Sequence, residues 1–125
     1  MTSASRPLVA LICRVPIVSE ALETAFDGVA DVRAFPARRG DTHGLLRWLE
    51  PDAVVVDTEE EAAAATPFAR AASSPLVHVR LDDGSVRLLE DDVWREANGD
   101  AATPEAIRNI VCGGIFGRGR GRSGK

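Results

Sequence analysis

Apolar residues in this chain fall in short runs separated by stretches with helical spacing. Residues 8–12 read Leu-Val-Ala-Leu-Ile and residues 53–56 read Ala-Val-Val-Val. Pro7 and Pro16 flank the first run, and Pro51 and Asp57 flank the second. Short, unalternating apolar runs of this kind predict strands buried on both faces of a sheet. Residues 29–35 alternate loosely and predict a half-exposed strand near a sheet edge. Residues 76–81 predict a further strand. Asp82-Asp83-Gly84-Ser85 is a hairpin signal, so residues 86–90 are expected to return antiparallel to it.

The intervening segments carry helix signals. Ser19 is suited to cap a helix ending near Phe26, with Glu20 and Glu23 in its first turn and Val18, Leu22, Ala25 and Phe26 on one face. Asp41 or Thr42 caps a second helix through Leu45, Leu46, Trp48 and Leu49, which Pro51 ends. Thr58 caps a third from Glu59 to about Ala72, and Pro67 inside it predicts a kink or a split. Residues 91–102 read as acidic and turn-rich, with Val93 and Trp94 covering the edge of the core. Thr103-Pro104-Glu105 starts a last helix whose apolar face is Ala106, Ile107, Ile110 and Val111. Gly113-Gly114 should then loosen the chain.

Strands alternating with helices predict an α/β fold with a parallel sheet and helices on both faces. Right-handed crossovers favour one doubly wound sheet of about five strands in the order 2-1-3-4-5. The two most apolar strands then occupy the centre. The last strand is antiparallel if the Asp83-Gly84 turn closes a hairpin.

Composition narrows the class. With 125 residues, 45% hydrophobic and 27% charged, the chain has the size and make-up of one globular domain. The domain is placed at residues 1–117, and residues 118–125 are expected to form a disordered Arg/Gly tail. Net charge is −4, from 15 basic and 19 acidic residues. Arg118, Arg120, Arg122 and Lys125 make the tail +4, which leaves the body at −8. Two distant cysteines, Cys13 and Cys112, exclude a disulfide scaffold and a multi-cysteine zinc module. Both are expected to be small buried hydrophobes. No apolar run approaches the roughly 20 residues of a membrane span, and Arg14 interrupts the N-terminal run too early for a signal peptide. The expected compartment is the cytoplasm, without membrane contact.

Candidate chemistry is sparse. Asp57 is either a phosphoacceptor or a strand-end carboxylate that caps the next helix or pairs with Arg14. Glu59, Glu60 and Glu61 either attract a cation with Asp57 or complement the dipole of their own helix. His43 and His78 lack ligand spacing. Arg38 and Arg39 are an anion-binding pair or an exposed loop. No glycine-rich loop follows the first strand, so a dinucleotide or flavin cradle has no support. No catalytic residue, metal or cofactor is assigned. Ile115 and Phe116, set between glycines, either dock on a partner or fold back on the core. Arg118, Arg120 and Arg122 can meet nucleic acid or an acidic protein through charge, or remain a solvated terminus.

The first eighty residues resemble a receiver domain of bacterial two-component response regulators. The opening apolar strand, the helix around Ser19 and above all Pro51-Asp52 leading through 53–56 to Asp57 carry the resemblance, which implies a flavodoxin-like fold. Where receivers have paired acids for Mg²⁺ after the first strand, this chain has Cys13, Arg14 and Val15. Arg80 and Leu81 stand where receivers have Ser or Thr, and the only lysine is Lys125. The resemblance thus implies a degenerate, or pseudo-, receiver: a non-catalytic signalling or regulatory module that works through a protein partner. It also suggests a homodimer through the fourth and fifth strands and last helix. The alternatives are a genuine receiver phosphorylated on Asp57 and a nucleic-acid-associated protein using the tail.

Overall fold

The computed structural model describes residues 6–37, 41–80, 84–90, 93–96 and 103–123, with side chains as far as Gly113. The apolar run at the N-terminus forms β1 (Leu8–Cys13), and every residue of it after Leu8 is buried. The chain continues through α1 (Pro16–Phe26), β2 (Asp31–Pro36), α2 (Thr42–Leu49) and β3 (Ala53–Val56). Then come α3 (Glu59–Ala72), β4 (Leu76–Arg80), β5 (Ser85–Glu90), β6 (Val93–Glu96) and α4 (Pro104–Ser123).

The described strands form one mixed sheet in the order β2-β1-β3-β4-β5-β6. β1 to β4 pair in parallel, and β5 and β6 add antiparallel. β1 and β3 are interior and buried on both faces, as their uniform apolar character demands. β2 lies at one edge and is mostly exposed. One core lies between the sheet and α1 with α4, through Leu22, Phe26, Ile107 and Val111. The other lies beneath α2 and α3, through Leu46, Ala62, Ala65, Phe68 and Ala69.

Two carboxylate contacts clasp the central strands. At the start of β1, the Leu8 backbone N–H donates to Asp52 Oδ2 at 2.8 Å. At its far end, Asp57 accepts from the loop that follows β1. Beneath α2 and α3, buried Thr42 donates from Oγ1 to Oε1 of buried Glu61. Glu61 also gives its backbone N–H to the Thr58 cap, so this residue locks the two helices side by side.

Four expectations are corrected, and the choice between Asp41 and Thr42 as the cap of α2 is decided. The sheet has six strands in place of about five, because residues 93–96 pair with β5 and set Trp94 opposite Leu89 over the second core. Four residues with two charges carry no alternation long enough to announce a strand, and only pairing reveals it. α1 starts at Pro16 in place of Ser19, since proline's fixed φ and missing donor suit the first helical position. Ser19 Oγ instead donates back to the Pro16 carbonyl. Thr42 is a helical residue bonded to Glu61, and Asp41 holds the N-cap position. Pro67 does not split α3, which is a single helix. Its ring and Ala63, whose carbonyl loses an amide donor, are both exposed, so water can take that acceptor while Phe68 and Ala69 hold the helix to the core. α4 continues through Gly113-Gly114 to Ser123, where loosening was expected. The N-terminal start of that helix is as anticipated, with Thr103 Oγ1 accepting from the Ala106 amide.

Gly84 adopts φ +71° and donates its amide to the Arg80 carbonyl, which turns β4 back into β5. Residues 81–83 of that turn lie outside the described residues. The antiparallel return takes the place of a crossover helix between β4 and β5.

The Pro67 contact predicts a gain on replacement. Pro67→Ala restores the amide donor at an exposed site and should stabilise the fold by about 1–3 kcal/mol. Urea denaturation would show this as a higher midpoint at unchanged slope.

Candidate functional site

Parallel strands deliver their carboxyl ends to one edge of the sheet, and a crevice opens there. In this protein the crevice is a cavity of about 450 Å³. Arg14 and Val15 reach it from the end of β1, Asp57 and Thr58 from the end of β3, Glu59 from the first turn of α3, and His78 and Arg80 from β4.

Asp57 is 7% exposed. Its Oδ1 accepts from the Arg14 amide at 2.7 Å and its Oδ2 from the Val15 amide at 3.1 Å. Both oxygens are therefore engaged by main-chain donors just before α1. Val15 is the N-cap of α1 and supplies no side-chain cap, so Asp57 steadies the approach to that helix from a distant strand. The anticipated helix cap on α3 belongs to Thr58, whose hydroxyl accepts from the Glu61 amide.

His78 is 3% exposed in a strand otherwise built of apolar residues and Arg80. Antiparallel register sets it directly opposite Arg87 on β5. Arg87 Nη2 lies 2.9 Å from His78 Nδ1. A guanidinium can only donate, so Nδ1 is the acceptor and the ring proton resides on Nε2. Burial pushes the His78 pKa below its ordinary value, and the adjacent Arg87 charge pushes it the same way. The imidazole is thus neutral at neutral pH. Arg87 is itself held over the Trp94 ring, 4.7 Å from its centroid, and lies 3.7 Å from Glu59. Trp94 supports the guanidinium by cation–π attraction, and the largely exposed Glu59 adds a solvent-screened ion pair.

Cys13, buried at the end of β1, has its thiol pushed up to about 12 by burial and then by the Asp57 charge. It stays protonated and unreactive at neutral pH. Cys112 is half-buried against the same core face, and burial raises its pKa too. Both thiols are free.

The structure brings Asp57 and Arg14 together, but through the Arg14 backbone. It separates the three glutamates: Glu61 turns inward to Thr42, Glu59 faces Arg87, and Glu60 is exposed. Among the described residues no three His, Cys, Asp or Glu side chains are grouped to hold a metal ion. His43 is exposed on α2, away from His78. The side chains of Ile115, Phe116, Arg118, Arg120 and Arg122 lie outside the described residues, as do Arg38 and Arg39. The pairing of His78 with Arg87 and Trp94 was missed in the sequence. Its one signal was a histidine inside an apolar strand followed nine residues later, across a hairpin, by an arginine.

No protein-family model, curated protein or solved structure matches the chain.

Two outcomes test this geometry. Asp57→Ala leaves two main-chain donors without their acceptor and should cost about 2–4 kcal/mol in urea denaturation. Faster hydrogen exchange at the Arg14 and Val15 amides should accompany it. His78 titrates near 6.5 when unfolded and lower when folded. Below that pH the unfolded chain binds the extra proton, so this contribution is complete above about 6.5 and is lost as pH falls toward the folded pKa. The denaturation midpoint should drop between pH 7.5 and 5.5, and His78→Gln should flatten that drop.

Proposed function

We propose that this protein is a cytoplasmic pseudo-receiver: a non-catalytic regulatory module that acts by binding a protein partner. The observation that carries this reading is the state of Asp57. Its two oxygens are committed to the Arg14 and Val15 amides, and its side chain is nearly buried. A phosphoacceptor has to present a free carboxylate oxygen to the incoming phosphorus, with a metal to offset charge. At the neighbouring positions of the crevice stand Arg14 and Arg80, which supply no metal ligand.

The sheet order supports the same reading. β2-β1-β3-β4-β5 follows the doubly wound pattern that the resemblance implies, with Asp57 immediately after β3. The departures fall on the far side, where β5 is antiparallel and β6 extends the sheet. Those departures remake the surface that receivers of the usual kind use to dimerise, which favours a heterologous protein partner over a homodimer. No described helix is long and apolar enough to cross a membrane.

The test has two arms. Beryllofluoride with Mg²⁺ should leave the melting temperature unchanged. A stabilisation that Asp57→Asn abolishes would overturn the reading in favour of a genuine receiver. Tagged purification from the native host should retain a specific protein after nuclease treatment. Nucleic acid lost on truncation at Gly117, with no protein retained, would instead move function to the Arg118, Arg120 and Arg122 tail.

A further inference from the structure

Arg87 ties its own strand to three neighbouring elements through one side chain. From β5 its Nη2 lies 2.9 Å from His78 Nδ1 on β4. Its guanidinium stacks 4.7 Å from the centroid of the Trp94 ring on β6. Glu59, in the first turn of α3, lies 3.7 Å away. β6 is the outermost strand on its side of the described sheet and pairs there with β5 alone. The Arg87–Trp94 stack is therefore a side-chain tie between that edge and the rest of the sheet. It holds Trp94 where the register sets it, opposite Leu89 and against the second core.

The tie is conditional on the charge of one ring. A guanidinium only donates, so its bond to Nδ1 exists only while that nitrogen keeps its lone pair. A proton on Nδ1 sets donor against donor and puts two cations in contact beside a buried ring. Among the described residues, Arg87 Nε is buried with no hydrogen-bond partner. Burial of the guanidinium is thus incompletely offset, and it gains solvation by swinging outward once Nδ1 no longer accepts. Charged groups face the ring from several elements. Burial and Arg87 oppose its protonation, Glu59 from α3 favours it, Arg80 along β4 opposes it, and Asp57 at the end of β3 favours it. Burial and the arginines prevail, so the ring takes its proton only below 6.5.

We propose that His78, Arg87 and Trp94 form an acid-released latch: protonation of His78 expels the Arg87 guanidinium, frees Trp94 and loosens β6 from the sheet. The central strands stay in place, because β1 and β3 are buried on both faces and clasped by Asp52 and Asp57. Release uncovers Leu89 and that margin of the second core. The device thus converts a fall in pH into an exposed apolar edge. The inference goes beyond the partner-binding reading and does not depend on it.

The experiment follows the full chain from pH 7.5 to 5.0 by NMR and by tryptophan fluorescence. Trp48, 74% exposed on α2, is first replaced by Phe, so that Trp94 is the remaining tryptophan. At pH 7.5 the His78 ring nitrogens should show the Nε2–H tautomer. As the ring titrates, Trp94 emission should shift to the red with the same midpoint. Amide protection factors at residues 93–96 should fall roughly tenfold, as expected for the loss of one hydrogen bond to a charged donor. Amides of β1 and β3 should keep their protection. His78→Gln keeps an acceptor that does not titrate, so it should abolish both changes. If that variant does not fold, Arg87→Met should loosen residues 93–96 already at pH 7.5 and raise the His78 pKa. Glu59→Gln, at an exposed carboxylate, should keep the transition. An unmoved Trp94 and β6 through the His78 titration, as when the guanidinium re-pairs with Glu96 across the β5–β6 register, would overturn the proposal. So would a transition that survives His78→Gln, or a loss of protection in all strands together. These outcomes leave the beryllofluoride and partner tests unaffected, so the two readings fall separately.

Discussion

The arrangement depends on one carboxylate, Asp57, that accepts from two consecutive main-chain amides across the β1–β3 pair. A buried charge is tolerated only when hydrogen bonds replace its lost hydration. Here the replacement comes from donors that precede α1 and have no side-chain cap of their own. The bond pair thus solves two problems together: it solvates Asp57 and fixes where the chain leaves β1. At the opposite end the exposed Asp52 fixes the start of β1 by accepting the Leu8 amide. Asp52 of the Pro-Asp step and the strand-end Asp57 are the two clasps of the central strand pair.

From that clasp the crevice follows. Once the exit of β1 is held against the end of β3, Arg14 is carried to the mouth beside Thr58 and Glu59. The opposite wall depends on the hairpin. Because β5 returns antiparallel, Arg87 comes to lie directly across from His78 and can donate to its Nδ1. β6 then places Trp94 beneath the guanidinium. A parallel β5 reached through a crossover helix would not create this register. The antiparallel return of β5, the addition of β6 and the setting of His78 are thus one structural event.

Most of the architecture could be read from local pattern. The runs at 8–12 and 53–56 had to be interior strands, since uniform apolarity is stable only with both faces covered. Thr58 and Thr103 announced helix starts through their hydroxyls, and both act as caps. Reading failed where two local rules competed. Ser19 has cap chemistry, but Pro16 reaches the first helical turn earlier. Pro67 has breaker chemistry, but burial of Phe68 and Ala69 on the other side of α3 outweighs one lost hydrogen bond. β6 has almost no local signature, and its pairing with β5 is the whole reason for its form.

The amino-acid sequence by itself determined the fold class, the sheet order through β5, the hairpin after β4 and the position of Asp57 at a strand end. These follow from short-range periodicity, turn chemistry and the handedness of crossovers, all of which act over a few residues at a time. Only the tertiary structure decided what Asp57 bonds to, which nitrogen of His78 carries the proton, and that Glu61 faces Thr42 in place of its neighbouring glutamates. Those depend on partners 43, 9 and 19 residues away in the chain. Contacts at such separations are set by strand register and helix docking, and no local pattern of residues encodes them.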